Sequence, residues 1–464
     1  MSKRSIQAWL LLLAVLVALS LRVSTLGRRS LWGDEVATLR ISALEVNDII
    51  TIQWDQHPPL YYLLMHYWIM LVQSEFLLRL PSALAGAAAV PLIYWLIREW
   101  SGQWSAIASA WFLAIMPLHI WYSQEARMYA LVCTLGLAST LFYTLAIRRK
   151  KPLIWLAWIV MTVAGLYTHY SMLLLAFAQI GLFGVLWKAN NSSRAALWIA
   201  LLALLIVSLL FVPQARTFVR QLVFSGWQGG YYYQAVQSTL SKWNISITPS
   251  QLYTAIIVAA ILTLGIGVFS TKVLLGRLKQ AQVGTGVILV ALAVYLLILI
   301  ATAIPRGLGI KRQLLVLLPY ALGGVAALIS SSLYRTHLLA ALILVTLPVT
   351  IHMVAVREQE AWRDVARFVE NNEESQDIIL FDPSWKQQPF DYYCHGDVPR
   401  QGVREKDIPE TLTGITASHQ RVWLVQYIDP PGEVQRWLDE NYTLLDEHIF
   451  PGVRIRLYDT GPPD

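Results

Sequence analysis

Residues 7–26, QAWLLLLAVLVALSLRVSTL, follow Lys3-Arg4 and run on through Arg28-Arg29 into Leu31-Trp32-Gly33-Asp34-Glu35-Val36. A helix rises ~1.5 Å per residue and a bilayer core is ~30 Å thick, so a run of this length crosses a membrane once. A positive start before an apolar run also suits a secretory leader. No small-x-small cleavage site follows, however, and the run is read as a retained first helix. The carboxylate pair Asp34-Glu35 just beyond it stands where charge is costly and persists mainly for a purpose.

Outward from this stretch most of the chain is apolar. Of 464 residues 56% are hydrophobic and 14% charged, against ~25% charged in a soluble domain. Spanning-length runs recur at about 76–97, 104–121, 128–147, 153–169, 171–187, 196–213, 251–270, 285–304, 313–331 and 337–355. Each is expected to be helical, because helices and closed barrels alone satisfy the backbone in lipid. The net charge of +7 comes from Lys and Arg spread over short loops, which orients a membrane protein and argues against a nucleic-acid surface. Cys133 lies in an apolar run and Cys394 in the polar tail, so no disulfide is expected, and there is no CxxC motif.

The segment 57–72 is apolar but short for a span. If it lies along the interface, Lys3-Arg4, Arg148-Arg149-Lys150-Lys151 and the Lys272, Arg277, Lys279 group all fall on the cytoplasmic side, as the positive-inside rule requires. The expectation is therefore an α-helical polytopic membrane protein with about eleven transmembrane helices, a cytoplasmic N-terminus and interfacial helices in a first outer loop at 27–75. The transmembrane domain occupies 1–356. From 357 the chain turns polar, with a helical stripe from Trp362 to Val369, strand-like runs Ile378–Phe381, Val422–Val425 and Val453–Leu457, and a helix at Glu433–Tyr442. Residues 357–464 read as a small non-cytoplasmic α/β domain.

Candidate chemistry gathers on the outer side. Adjacent Asp34 and Glu35 point in different directions on a helix or a strand, which suits separate roles; one can serve as a general base. They equally suit the first turn of an interfacial helix. His57-Pro58-Pro59-Leu60 is a helix start. Arg79 and Arg127 stand at outer helix ends and Lys311-Arg312 follows Pro305; such cations can snorkel or grip a phosphate through the guanidinium fork. Glu125 and Arg127, flanked by Tyr122, Ser123 and Tyr129, can close a helix end, and His169-Tyr170 can be an interfacial pair. Trp227 and Tyr231-Tyr232-Tyr233 suit an aromatic belt or a stacking surface. No P-loop, dinucleotide glycine motif, HExxH or Gly-x-Ser-x-Gly elbow occurs. An enzyme on this face would need a donor carried in lipid.

Taken in order, Trp32-Gly33-Asp34-Glu35, His57-Pro58-Pro59-Leu60-Tyr61-Tyr62, Glu75 with Arg79-Leu80-Pro81-Ser82, His119-Ile120-Trp121-Tyr122-Ser123-Gln124-Glu125-Ala126-Arg127-Met128-Tyr129 and Thr168-His169-Tyr170 resemble the GT-C membrane glycosyltransferases. The group resembled is the protein O-mannosyltransferase and lipid A aminoarabinose transferase type, densely over about 20–180. The resemblance implies transfer of a sugar, with inversion, from a polyprenyl monophosphate donor to an acceptor (protein, lipid or glycan) outside the cytoplasm. It implies Asp34 as base beside Glu35, phosphate contacts from Arg79, Arg127, Arg312 and Lys311, and site organisation by His57, Glu125, Tyr129, His169 and Tyr170. Lys311-Arg312-Gln313 departs from the Arg-Tyr that relatives carry. No cofactor is implied. A divalent ion held by Glu125 or Glu35 with His57 or His169 is left open by the residue types. A prokaryotic plasma membrane is the expected location. The alternatives are a flippase of lipid-linked sugars using the same cations, which would need paired broken helices that are not evident, and a non-catalytic scaffold.

Overall fold

A computed structural model describes residues 2–52, 57–72, 74–189, 194–224, 312, 315–356, 360–403, 408–427 and 432–461. The expected spans at 251–270 and 285–304, the aromatic group at 227–233, Arg306 and Lys311 lie outside them. The chain forms two compact units. One comprises Met1–Ser24, Glu45–Tyr67 and Arg79–Ala355; the other comprises Thr25–Leu44, Trp68–Leu78 and Val356–Asp464.

The described helices before residue 225 are α1 (Lys3–Val23), α2 (Gly33–Ser42), α3 (Val46–Thr51), α4 (Leu60–Ile69), α5 (Glu75–Ser101), α6 (Gln103–Ile115), α7 (Pro117–Ser123), α8 (Tyr129–Arg149), α9 (Pro152–Thr168), α10 (Met172–Ala189) and α11 (Arg194–Phe224). After the undescribed stretch come α12 (Leu318–Ser330) and α13 (Arg335–Val356). Among the described residues five helices are long and apolar enough to cross a membrane, or six if the bent pair α6–α7 is one span. Trp9, Leu16, Leu205 and Leu344 stay exposed on them, as lipid-facing side chains do. At ten residues, α4 is only ~15 Å long, shorter than a membrane span.

One expected span differs in form. The run 104–121 is two helices meeting at 57°, because Pro117 has no N–H to continue the ladder from Leu113 and its ring obstructs the preceding turn. Elsewhere the helices are joined by buried hydrogen bonds, the usual glue where lipid is as apolar as leucine. Gln179 on α10 accepts from Trp158 Nε1 on α9 (2.9 Å) and donates to Ser139 Oγ on α8 (2.9 Å), while Tyr320 on α12 meets Thr140 on α8 (2.7 Å).

In the second unit the polar tail carries α14 (Trp362–Asn372), β1 (Asp377–Asp382), α15 (Gln387–Tyr393), β2 (Arg400–Gly402), α16 (Glu410–Ala417), β3 (Arg421–Gln426), α17 (Glu433–Asn441), β4 (Thr443–Phe450) and β5 (Val453–Asp459). The sheet order is β2-β1-β3-β5-β4, parallel at β2-β1-β3 and antiparallel at β3-β5-β4. Helices cover both faces, so β1 and β3 are continuous apolar runs rather than alternating ones. Trp362, Val365 and Val369 of α14 pack on Ile379, Phe381, Trp423 and Val425. On the other face Leu412, Val434 and Leu438 pack on Ile378, Leu380, Val422 and Leu424. The three strand-like runs and both helices read in the tail are present. β2 and β4 were not legible: β4 is largely exposed, and its TLLDEHIF carries no alternation. Both cysteines are free.

Candidate active site

Three hydrogen bonds fix how α5 and α8 lie together. Thr134 Oγ1 donates to the Ala85 carbonyl (2.7 Å), Trp100 Nε1 to Thr144 Oγ1 (3.2 Å), and Arg148 to Glu99 (2.6 Å). The two helices are therefore parallel, with Arg79 and Tyr129 at one end and Arg148-Arg149 at the other. α9 returns antiparallel, joined by Ser139 and Thr162 hydroxyls at 2.8 Å, and brings His169 back to the Tyr129 end. The short connection forces this: Lys150 takes a left-handed conformation at φ 55° to end α8, and Pro152 opens α9.

At that end the first unit holds a compact cationic and aromatic group. The His169 ring centroid lies 5.7 Å from Tyr129 and 5.5 Å from His57, and Tyr122 lies 5.4 Å from Tyr129. The guanidinium carbons of Arg127 and Arg312 each lie 5.8 Å from the Tyr129 ring centroid. Tyr129 opens α8, so the group sits at the positive end of a 21-residue helix, where anions are favoured. Arg127, Glu125 and Tyr129 are almost fully buried. The His169 Nδ1 accepts from the Ser171 N–H (3.0 Å), so a neutral ring carries its proton on Nε2. Tyr170 is turned away toward α11, donating to Gln214 Oε1 (3.2 Å) and packing on Phe218.

Arg79 is fully buried one helical turn before Ser82. The Ser82 hydroxyl donates to the Arg127 carbonyl (2.9 Å) and meets the Tyr61 hydroxyl at 2.8 Å. That serine joins α4, α5 and the α7–α8 connection. Asp34 and Glu35 belong to the second unit, in the first turn of α2. Glu35 is buried and its carboxylate accepts the Trp32 N–H at 3.3 Å, so it closes the start of that helix. Asp34 is half-buried. Among the described residues no three His, Cys, Asp or Glu side chains are grouped to hold a metal ion.

One constellation escaped the sequence reading. Arg22, fully buried near the end of α1, donates to the carbonyls of Ala18 (2.9 Å), Ala114 (3.0 Å) and Leu113 (3.1 Å) and to His119 Nδ1 (2.9 Å). Thr350 donates to the Ile115 carbonyl (2.6 Å). The carbonyls of Leu113, Ala114 and Ile115 are those that the break before Pro117 strips of helical donors. The signal was an arginine set inside an apolar run, which in lipid marks a pairing.

The family model for dolichyl-phosphate-mannose-protein mannosyltransferase matches residues 56–215, which take in His57, Arg79, Glu125, Arg127, Tyr129, His169 and Tyr170. Among solved structures, the Archaeoglobus fulgidus oligosaccharyltransferase AglB, bound to an inhibitory peptide and a dolichol-phosphate, has a TM-score of 0.54 at 11% identity, over 92% of this chain and 70% of its own. An Archaeoglobus fulgidus oligosaccharyltransferase complex with Zn and sulfate gives 0.54 at 14%, over 97% and 73%. ArnT from Cupriavidus metallidurans in the apo state gives 0.42 at 13%, over 99% and 100%. No curated protein matches. The resemblance to GT-C membrane glycosyltransferases read in the sequence is borne out.

Proposed function

We propose that the chain is a glycosyltransferase that takes a sugar from a polyprenyl monophosphate and delivers it, with inversion, to an acceptor on the non-cytoplasmic face. The observation that carries this reading is the convergence of Arg127 and Arg312 on Tyr129 at the positive end of α8, beside His57 and His169. Such a setting suits the phosphate of a lipid-linked sugar, a diester in the donor and a monoester once the sugar has left: forked donors, a helix N-terminus, and a water-poor surround in which each contact counts for far more than in water. The family match over the same segment supports it, as does the dolichol-phosphate held by the archaeal oligosaccharyltransferase of like fold.

In this mechanism an acceptor oxygen or nitrogen attacks the anomeric carbon opposite the phosphate. Asp34 takes the acceptor's proton as the new bond forms. The bond from that carbon to the phosphate oxygen breaks, and polyprenyl phosphate leaves with its added charge held by the arginines. The assignment of Asp34 rests on the sequence resemblance. Glu35, engaged at the start of α2, is a neighbour that shapes the turn. The Arg148-Lys151 cluster, at the other end of the bundle from Tyr129, would face the cytoplasm.

The test is Asp34→Asn in the full chain, assayed with polyprenyl-phosphate sugars against cell-envelope acceptors. Transfer should fall by at least roughly a hundredfold, the lower range for a lost general base, while binding of polyprenyl phosphate stays unchanged. Undiminished transfer in that variant overturns the mechanism.

A further inference from the structure

The second unit contains two stretches of the first outer loop, Thr25–Leu44 and Trp68–Leu78, together with the C-terminal domain. Four hydrogen bonds join them, two of them ending on Ser30 and Leu31 just ahead of Asp34 and two on Glu75. The Tyr393 hydroxyl, at the end of α15, accepts the Leu31 N–H (2.6 Å) and donates to Glu75 Oε1 (2.6 Å). Arg363, in the first turn of α14, bonds the other oxygen of that carboxylate at 2.5 Å. Its own backbone N–H donates to Ser30 Oγ at 3.2 Å.

The last of these is a helix cap supplied from elsewhere in the chain. The residue ahead of α14 is Ala361, whose side chain makes no capping bond. An exposed N–H in the first helical turn ordinarily takes a side-chain oxygen from the N-cap residue. Here Ser30, more than three hundred positions earlier, provides it. Leu31 is wholly buried and Ser30 nearly so, so the backbone entering α2 is gripped at two successive residues. α15 also packs directly against α2. Burial, and then the bond to Glu75, push the Tyr393 hydroxyl well above its ordinary range, so it remains a donor at any physiological pH.

We propose that the C-terminal domain is a clamp on the catalytic loop: Tyr393, Glu75 and Arg363 are positioning residues that set the entry and register of the helix bearing Asp34. This rests on the reading of Asp34 as the base and adds a role for the domain. None of the three needs to touch substrate. A 1 Å error in the placement of a base costs on the order of a hundredfold in rate, so a clamp of this kind acts on turnover rather than on donor affinity.

The test uses the full-length protein with Tyr393→Phe, which removes the hydroxyl and keeps the ring, and Glu75→Gln, which keeps an acceptor for Tyr393 but gives up the charge that holds Arg363. Amide hydrogen exchange at Leu31–Val36 is read alongside kcat and donor KM. Tyr393→Phe should speed exchange at Leu31–Val36 at least tenfold, leave exchange in β1 and β3 as in the parent, and lower kcat roughly tenfold with donor KM unchanged. Glu75→Gln should retain slow exchange at Leu31 and lose less of kcat. If Tyr393→Phe leaves exchange at Leu31–Val36 unchanged, the clamp is overturned whatever the activity. If exchange rises and kcat does not fall, the positioning role is overturned and the link is structural only. If the parent chain transfers no lipid-linked sugar, the reading of Asp34 fails instead, and the exchange result alone separates the two failures.

Discussion

Arg127 and Arg312 stand at equal distance from the Tyr129 ring, on opposite sides of an undescribed stretch of chain. Both guanidinium groups address the same ring, and their forked donors match the oxygens of a phosphate. Hydrogen bonds to a charged group are each worth about 1.5–3 kcal/mol. Arg127→Ala or Arg312→Ala should therefore weaken binding of a polyprenyl monophosphate by roughly ten- to a hundredfold, measured by titration in detergent. Arg127→Lys should recover part of that loss, since it keeps the charge and gives up the fork. Unchanged affinity in all three variants would remove the phosphate site from this end of the bundle. His57, Arg127, Tyr129 and His169 were legible as a set through the order of their motifs. That Tyr129 stands at their centre was not, because its hydroxyl reads equally as an interfacial tyrosine.

The pair α6–α7 shows how an element can be broken and still stand in lipid. Proline removes one donor and the bend removes more, and an unsatisfied backbone group in the hydrocarbon core costs several kcal/mol. Arg22 and Thr350 replace those donors at Leu113, Ala114 and Ile115, and the kink in turn aims the 119–129 segment. Gly86 on α5 permits the approach, since a Cβ there would collide with the Ser123 side chain. Arg22→Leu should lower the stability of the folded protein by on the order of 3–5 kcal/mol, as expected when one partner of a buried polar network is removed, seen as a lower thermal midpoint in detergent. Arg22→Lys should fall between the two, because one ammonium cannot serve carbonyls on two helices and a histidine together. A midpoint equal to the parent's in Arg22→Leu would show that water or repacking satisfies those carbonyls.

At the scale of the molecule, the polar tail holds a buried lysine whose charge makes its stability depend on pH. Lys386 is nearly inaccessible, paired with Glu360 at 2.6 Å and lying over the Tyr427 ring at 3.3 Å. Burial lowers its pKa to about 8, against the opposing pull of Glu360. Below pH 8 both the folded and unfolded states hold the proton, and the burial penalty is fully present. Between pH 8 and the ordinary lysine value the unfolded state binds more protons, so this group makes the domain more stable as pH rises. Cys394, whose pKa burial pushes up to about 11, works in the opposite direction above its ordinary value. The difference between the parent and Lys386→Met isolates the lysine. Exchange protection of β1 and β3 should gain on that of the variant from pH 8 to 10, and a constant difference would contradict the assignment.

Hydropathy alone established a polytopic helical protein with a small α/β tail, since the length of an apolar run and the need to satisfy the backbone leave no other form in a bilayer. Motif order alone pointed to the glycosyltransferase class, because each short piece is weak and the sequence of pieces is not. Three features came only from the tertiary structure. The first is the bend at Pro117 and its repair by Arg22, which depends on partners more than ninety positions away. The second is the edge strand β4, which has no burial pattern of its own and exists because β5 pairs with it. The third is the joining of Ser30, Leu31 and Glu75 to the C-terminal domain. Local sequence records which residues prefer lipid, water or a helix end; it does not record which distant donor a stripped carbonyl or an uncapped helix will find.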